Sequence, residues 1–407
     1  MSAVAADEPA TAIAAPAIPR EAFLLAGSLF LIISATNIMT PLLPDIRKDF
    51  GVSIATAGVI VGSFGLARLL IDLPAGFVSD RIGHRRISLA ALVLLLAACL
   101  VGLNAGSVGM LIAARVGSGF AVGILATVVL SSLGATATPA NRGKVMSLFH
   151  VANNVGIAAY PLLGGLVGAV IGWRATFAVT LALVVVAGGI LLPVLLRIDP
   201  RRGGSVARST GGEKRVLFGR QRTTAIAATN LGVVANMINR HGFRNTILPL
   251  YAASALGLGG ISIATAIALM SITGLFVATP GGMLGDRVGR RRIITAGLAA
   301  IAGGDLVFLL THDLVTFLLA AGLIGFGDFF SSSQTALLSE VVPAADRTKV
   351  LGTYRFSADL GAFIGPVALA GVMDLVSAQA AIIVAAAILL LASLVARVGV
   401  PRTVDLT

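Results

Sequence analysis

Charged side chains inside apolar stretches come first, because hydrocarbon offers them no water and they stay only where they have work to do. Arg68 and Asp72 stand one helical turn apart in one such stretch, and Arg355 and Asp359 do the same near the other end of the chain. Counted inward from the basic end of each stretch at about 1.5 Å per residue, Asp72 lies about 10 Å deep, Arg68 about 16 Å, Arg355 about 12 Å and Asp359 about 18 Å. Acid and base are therefore stacked in opposite order on the two helices. Each pair can close within its own helix at i,i+4, or the helices can exchange partners as Asp72–Arg355 and Arg68–Asp359. Asp328 is a lone acid midway along another apolar run, and Asp305 sits in the run before it. Arg115 is a lone base. Asn236, Asn239, Arg240, His241, Arg244 and Asn245 crowd one further run, and Asn37 lies in the first. A carboxylate held beside a guanidinium at mid-depth can take up and release a proton. Asp328 is the first choice for that role, with Asp72 and Asp359 as further proton-coupling candidates.

Other chemistries find no residues. His150 and His241 are single imidazoles without further ligands at metal-binding spacing, so no metal site is expected. The sequence contains no nucleophile elbow and no phosphate-binding loop, which argues against an enzyme and against ATP as the energy source. No cofactor is expected. Cys99 is the single cysteine, so an internal disulfide is excluded.

The elements that carry these residues are membrane helices. Of 407 residues, 57% are hydrophobic and only 12% charged, about half the charged share of a soluble domain. Runs of about 20 apolar residues can cross a bilayer. Twelve are present, at 22–44, 54–79, 86–104, 108–137, 144–170, 175–196, 223–256, 260–284, 292–311, 314–340, 347–374 and 378–400, here α1 to α12. The net charge of +12 does not form the single basic face of a nucleic-acid binder. It is dispersed in short loops: Arg81, Arg85 and Arg86 after α2, Arg142 and Lys144 after α4, Arg287 and Arg290 to Arg292 after α8, Arg347 and Lys349 after α10. Intervening loops are nearly bare, apart from 45–49, where two Asp offset Arg47 and Lys48. The positive-inside rule then puts both termini in the cytoplasm of a multi-pass protein of the cell (inner) membrane. Residues 1–20 and 401–407 are expected to be cytoplasmic tails, and 198–222 a basic, Gly/Ser-rich linker between bundles at 21–197 and 223–400.

The two halves repeat. Gly76-Phe-Val-Ser-Asp80-Arg81-Ile-Gly83-His84-Arg85-Arg86 recurs 206 residues later as Gly282-Met-Leu-Gly-Asp286-Arg287-Val-Gly289-Arg290-Arg291-Arg292. Gly156 and Pro161 recur as Gly361 and Pro366, each 205 residues on. This doubled signature resembles that of the major facilitator superfamily. The resemblance implies an all-α membrane fold of twelve helices in two six-helix bundles, related by an axis along the membrane normal. It further implies that Gly76, Asp80, Arg81, Gly83 and Arg85, with Gly282, Asp286, Arg287 and Gly289, form a conformational latch, Asp80 meeting the start of α11 and Asp286 the start of α5. Gly76 would allow close helix packing. In this fold α2 faces α11, which favours the cross-bundle exchange of partners, closing the cytoplasmic side. Helices α1, α4, α7 and α10 would line the cavity, which would place Asp328 opposite Arg240 and make Asn37, Asn236, Arg240, Arg244 and Asp328 the candidate substrate contacts.

Arg115-Val-Gly-Ser-Gly119-Phe-Ala-Val-Gly123 resembles the family's helix 4 motif, where the Arg is linked to proton coupling. Gly156-Ile-Ala-Ala-Tyr160-Pro161-Leu-Leu-Gly164-Gly165 resembles the antiporter branch, with Tyr160 in place of a Gly. It implies a hinge of Gly156, Pro161, Gly164 and Gly165 on α5, mirrored by Gly361 and Pro366 on α11. The resulting expectation is a drug/proton antiporter working by alternating access, a monomer whose partners are a small apolar or amphipathic molecule, protons and membrane lipid. Phe30, Ile38, Met39, Leu125 and Met237 are candidate apolar contacts. A metabolite or sugar exporter, a symporter, a lipid flippase and a receptor that lost transport remain open.

Overall fold

The computed structural model describes residues 17–138, 140–198, 220–342 and 346–401. The expected tails fall mostly, and the linker almost wholly, outside the described residues. Twelve helical rods follow one another, and no strand occurs among the described residues. Their observed bounds are Arg20–Phe50 for α1, Ile54–Ile82 for α2, His84–Leu103 for α3, Val108–Thr136 for α4, Arg142–Ile171 for α5 and Ala175–Arg197 for α6. In the second half, α8 is Gly260–Val288, α9 Arg290–Leu310, α11 Arg347–Leu375 and α12 Ala378–Gly399.

Three rods are broken midway. α1 runs as Arg20–Asn37, a 3-10 turn Thr40–Leu42 and Leu43–Phe50. Pro41 and Pro44 each remove a backbone donor, so the regular ladder cannot pass through. α7 runs as Arg220–Met237, a π-helical stretch Ile238–Ile247 and Leu248–Ala255. α10 runs as Leu314–Gly327, a 3-10 turn Asp328–Phe330 and Ser331–Val341. Eleven helices among the described residues are long and apolar enough to cross a membrane. The polar residues of its π-helical stretch set α7 apart. Broken helices in a membrane survive where their freed backbone groups face protein or a cavity.

Each half repeats one packing pattern. α1 packs on α5 and α6, α2 on α4, and α3 on α4 and α6; α7 packs on α11 and α12, α8 on α10, and α9 on α10 and α12. Each bundle has its own buried core, one around Leu29, Leu95 and Leu125, the other around Phe243, Phe308 and Phe317. The repeated signature folds identically in both. Gly83 has φ 92° and Gly289 φ 99°, a conformation that only glycine adopts cheaply. The Gly83 N–H donates to the Ser79 carbonyl at 2.9 Å and the Gly289 N–H to the Gly285 carbonyl at 3.0 Å.

The bundles meet through α2 with α11 and α5 with α8, and through the ends of α1 and α7. All these meetings lie towards the end of the molecule opposite the basic loops. There α2 offers Gly58, Gly62 and Gly65 to α11: a side chain at Gly62 would come within 2.9 Å of Val367, and one at Gly65 within 2.8 Å of the Ala362 backbone. In lipid, where nothing apolar gains from leaving water, such close backbone approach is what holds helices together. At the same end, Ser53, Ser107, Asp313 and Ser377 cap the starts of α2, α4, α10 and α12 by accepting hydrogen bonds from backbone N–H groups.

Candidate transport cavity and its charges

A cavity of about 220 Å³ lies between the bundles, bounded by the broken parts of α1 and α7 and by α2, α4, α5, α8 and α11. Asn37, Arg68, Arg115, Arg240, Arg244 and Asp359 all face it. Met39 and Met237 line it as well. Leu125 is instead fully buried in the first bundle's core, and Phe30 packs on Tyr160 at 5.1 Å between rings. Asn236 is buried away from the cavity, with its Oδ1 unpartnered.

The buried acid Asp328 does not line the cavity; it stands behind Arg244. Arg244 Nη1 donates to Asp328 Oδ2 at 2.7 Å and Nη2 to Oδ1 at 3.1 Å. The partner of Asp328 is thus Arg244 and not Arg240, one turn earlier. Behind it, Arg244 Nε donates to Asn239 Oδ1 at 3.1 Å, and Asn239 Nδ2 donates to Asp305 Oδ2 at 2.5 Å. A continuous chain of buried polar groups therefore links α10, α7 and α9. Its π-helical segment is the reason: the wider turn re-aims successive side chains compared with an α-helix, a device frequent at functional sites.

Arg68 is the meeting point of the other charges. Its Nη2 lies 3.2 Å from Asp72 Oδ2 on its own helix and 3.7 Å from Asp359 Oδ1 across the bundle interface. The two arrangements weighed from the sequence thus coexist at this residue. The expected Asp72–Arg355 pair is not formed: Arg355 is exposed and makes no ion pair among the described residues. It lies nearer the basic end, beyond the reach of the seal.

Arg115 finds its partners on the backbone. Its Nη1 donates to the Ala35 carbonyl at 2.9 Å and its Nη2 to the Thr36 carbonyl at 3.3 Å. These are among the last carbonyls before α1 breaks, where a cation is favoured and acceptors lack intrahelical donors. The guanidinium also lies 4.6 Å over the Phe64 ring. Gly119 and Gly123 follow at helical spacing on the same face of α4. A side chain at Gly119 would meet the Phe64 backbone, and one at Gly123 would come within 2.8 Å of Asp72. The motif seats α2 and makes room for its acid.

The α5 hinge residues lie where three helices cross. A side chain at Gly156 would press on Ile33 at 3.0 Å, one at Gly164 would collide with the Ile38 carbonyl of α1, and one at Gly165 would lie 2.6 Å from Ala264 of α8. Pro161 is buried between them. On α11, Gly361 approaches the Val234 carbonyl of α7, and Pro366 presents its carbonyl to Gly58 of α2.

At the basic end, Asp286 pairs with Arg290 of its own motif and not with α5. Arg290 also reaches Glu340 of α10 at 3.0 Å, a partnership that the repeat pattern did not point to. Arg81, Arg85 and Arg287 are exposed. The Asp80 side chain lies outside the described residues. Gly76 has nothing within 4 Å of an added side chain, so it does not serve close packing here. Gly282 contributes its carbonyl, 3.3 Å from Arg290 Nη1. Near the opposite end, Asp49 accepts from Arg174 at 2.6 Å and from Trp173 at 3.0 Å. This accounts for an acid in the exceptional 45–49 loop.

The sequence matches the Major Facilitator Superfamily over residues 25–240 and 229–406, and the chain belongs to that family. It is 27% identical over 357 residues to a chloramphenicol resistance protein of Streptomyces lividans, covering 86% of this chain and 88% of that protein. It is 29% identical over 283 residues to the cephamycin export protein CmcT of Amycolatopsis lactamdurans, covering 69% of this chain but only 53% of that longer protein. Among solved structures, a POT family transporter in complex with 5-aminolevulinic acid superposes with a TM-score of 0.78 at 12% identity, covering 92% of this chain and 95% of that one. A bacterial homologue of the human lysosomal transporter Spinster gives 0.71 at 16% identity, over 93% and 95%. These likenesses establish the fold. The family makes the chain a multi-pass membrane transporter with a small-molecule substrate.

Proposed function

We propose that this chain exports small amphipathic molecules across the cell membrane in exchange for protons, by alternating access. The observation behind this reading is the Arg244–Asp328 pair, set in the wall of a cavity between bundles that meet only towards one end. With the basic loops in the cytoplasm, the sealed end is external and the cavity is accessible from inside, as an exporter needs when it loads. Arg68–Asp359 stands at the inner border of the external seal. The hinge glycines of α5 and α11 let the bundles rock, and the doubled signature closes the basic end in the opposite state. Protonation of Asp328 would release Arg244 and loosen α10 from α7. The relatives named for chloramphenicol resistance and cephamycin export support an exporter.

The test is efflux from cells with and without the protein. Preloaded compound should leave faster when the chain is present, and collapse of the proton gradient should remove the difference. Efflux that survives the collapse would exclude proton coupling.

A further inference from the structure

We propose that the cavity binds the carboxylate of a small amphipathic molecule and that Arg240 is the group that holds it. The proposal rests on the cavity being the transport site, but not on the direction or driving force of transport.

The case begins with an accounting of charge around the cavity. Four guanidinium groups line it, those of Arg68, Arg115, Arg240 and Arg244, against the single carboxylate of Asp359. Three of the four are engaged. Arg68 serves Asp72 and Asp359. Arg244 occupies both oxygens of Asp328. Arg115 donates to two carbonyls of α1. Arg240 makes neither a hydrogen bond nor an ion pair to any described residue, and its neighbour His241 donates no hydrogen bond from its ring. The acids nearby cannot serve it without abandoning Arg68 or Arg244.

A cation at membrane depth with no hydrogen bond or ion pair of its own is costly, and such residues mark the path of a substrate or ion. A guanidinium presents a planar fork of donors that fits a carboxylate through two parallel bonds. Its placement suits a ligand. Arg240 and Arg244 are separated by roughly one turn of π-helix and address the same space, but Arg244 leans to α10 and leaves Arg240 in front. Beside these charges the lining includes Phe64, Ile157, Met237 and Met270 as apolar surface, with Asn37 and Asn245 as neutral polar groups. Methionine and aromatic surface adapts to varied apolar bodies. At about 220 Å³ the cavity is smaller than the usual drug-sized pocket of about 300–1,000 Å³, which favours a compact molecule. A cationic cargo would face four guanidinium groups and find only engaged acids.

The experiment is calorimetric titration of the full chain in lipid nanodiscs, with empty nanodiscs as blank and no proton gradient. The probes are 1-naphthaleneacetate and its neutral isostere 1-naphthaleneacetamide. The carboxylate should bind at least about tenfold more tightly than the amide, the equivalent of about 1.4 kcal/mol. Arg240→Gln should bring the two within about twofold, and Arg240→Lys should retain part of the preference. Carboxylate binding that is no tighter than that of the amide, or absent up to the solubility limit, overturns the proposal, as does a preference that survives Arg240→Gln. Should Arg240→Gln fail to fold, the wild-type pair and Arg240→Lys decide. The outcome is separable from the export reading: a chain that prefers the carboxylate but never drives efflux keeps this assignment and loses that one, and one that exports without preferring carboxylates does the reverse.

Discussion

Arg244 grips both oxygens of Asp328 while its third nitrogen is held by Asn239, so one guanidinium ties α7 to α10 and, through Asp305, to α9. Breaking a buried ion pair by removing one partner is more damaging than removing both, because the survivor is left charged in a low dielectric. Arg244→Gln should therefore lower stability by about 3–5 kcal/mol, seen as a fall in the thermal transition of the purified protein. The double change Arg244→Gln with Asp328→Asn should recover at least half of the fall. A double variant as unstable as the single one would show that the pair is not the stabilising unit.

Asp328→Asn separates binding from coupling. The amide keeps an acceptor for Arg244 but cannot carry a proton. The expected outcome is normal expression, abolished gradient-driven efflux and retained passive exchange of compound. Full gradient-driven activity would remove Asp328 from the coupling route, and Asp359→Asn would be the next variant to try.

Much of this was legible in the sequence because it depends on spacing. The doubled signature places Gly83 and Gly289 in register, and both take the same positive φ. The apolar runs foretell the rods within a few residues. The partner of Asp328 was not legible. Choosing Arg244 over Arg240 depends on a π-helical segment, which changes the angular step between side chains and leaves no composition signal distinct from a polar α-helix. The carbonyl partners of Arg115 were hidden for a similar reason: backbone acceptors become free only where α1 breaks. Arg355 shows a third limit. Its lack of a partner depends on how far apart the bundles stand at the basic end, a distance that spacing along the chain does not record.

Arg115→Lys should cost more than its conserved charge suggests. A lysine ammonium is a single point and cannot reach the Ala35 and Thr36 carbonyls in the same fork, nor stack flat over Phe64. Hydrogen bonds to charged groups contribute about 1.5–3 kcal/mol, so loss of one should lower the thermal transition measurably and slow efflux. Unchanged stability would mean that the α1 break is held by its prolines alone.

The glycines of α2 offer a test of the contact between the bundles at the end away from the basic loops, which is the external end in the export reading. A methyl group at Gly65 would lie 2.8 Å from the Ala362 backbone, a distance that only movement of a whole helix can relieve. Gly65→Ala should push α2 from α11 and populate the state open at the end away from the basic loops. A cysteine placed at Val61 in a Cys99→Ala background should then react faster with a membrane-impermeant maleimide added from outside. An unchanged rate would mean that the helices absorb the methyl without parting.

Charge exchange decides whether Arg68 and Asp359 act across the interface. Their 3.7 Å separation is longer than the 3.2 Å between Arg68 and Asp72 on the same helix. The latter belongs to one rigid helix and persists whatever the bundles do. In the cycle proposed above only the former would change as the bundles rock, so only it could bias the two states. Arg68→Asp or Asp359→Arg alone should sharply reduce transport by placing like charges side by side. The combined exchange restores opposite charges across the gap and places a second acid beside Asp72, so recovery should be partial without Asp72→Asn and greater with it. If the exchange transports no better than either single variant, with or without Asp72→Asn, the cross-interface pair has no part in the cycle, and Arg68 serves only to neutralise α2.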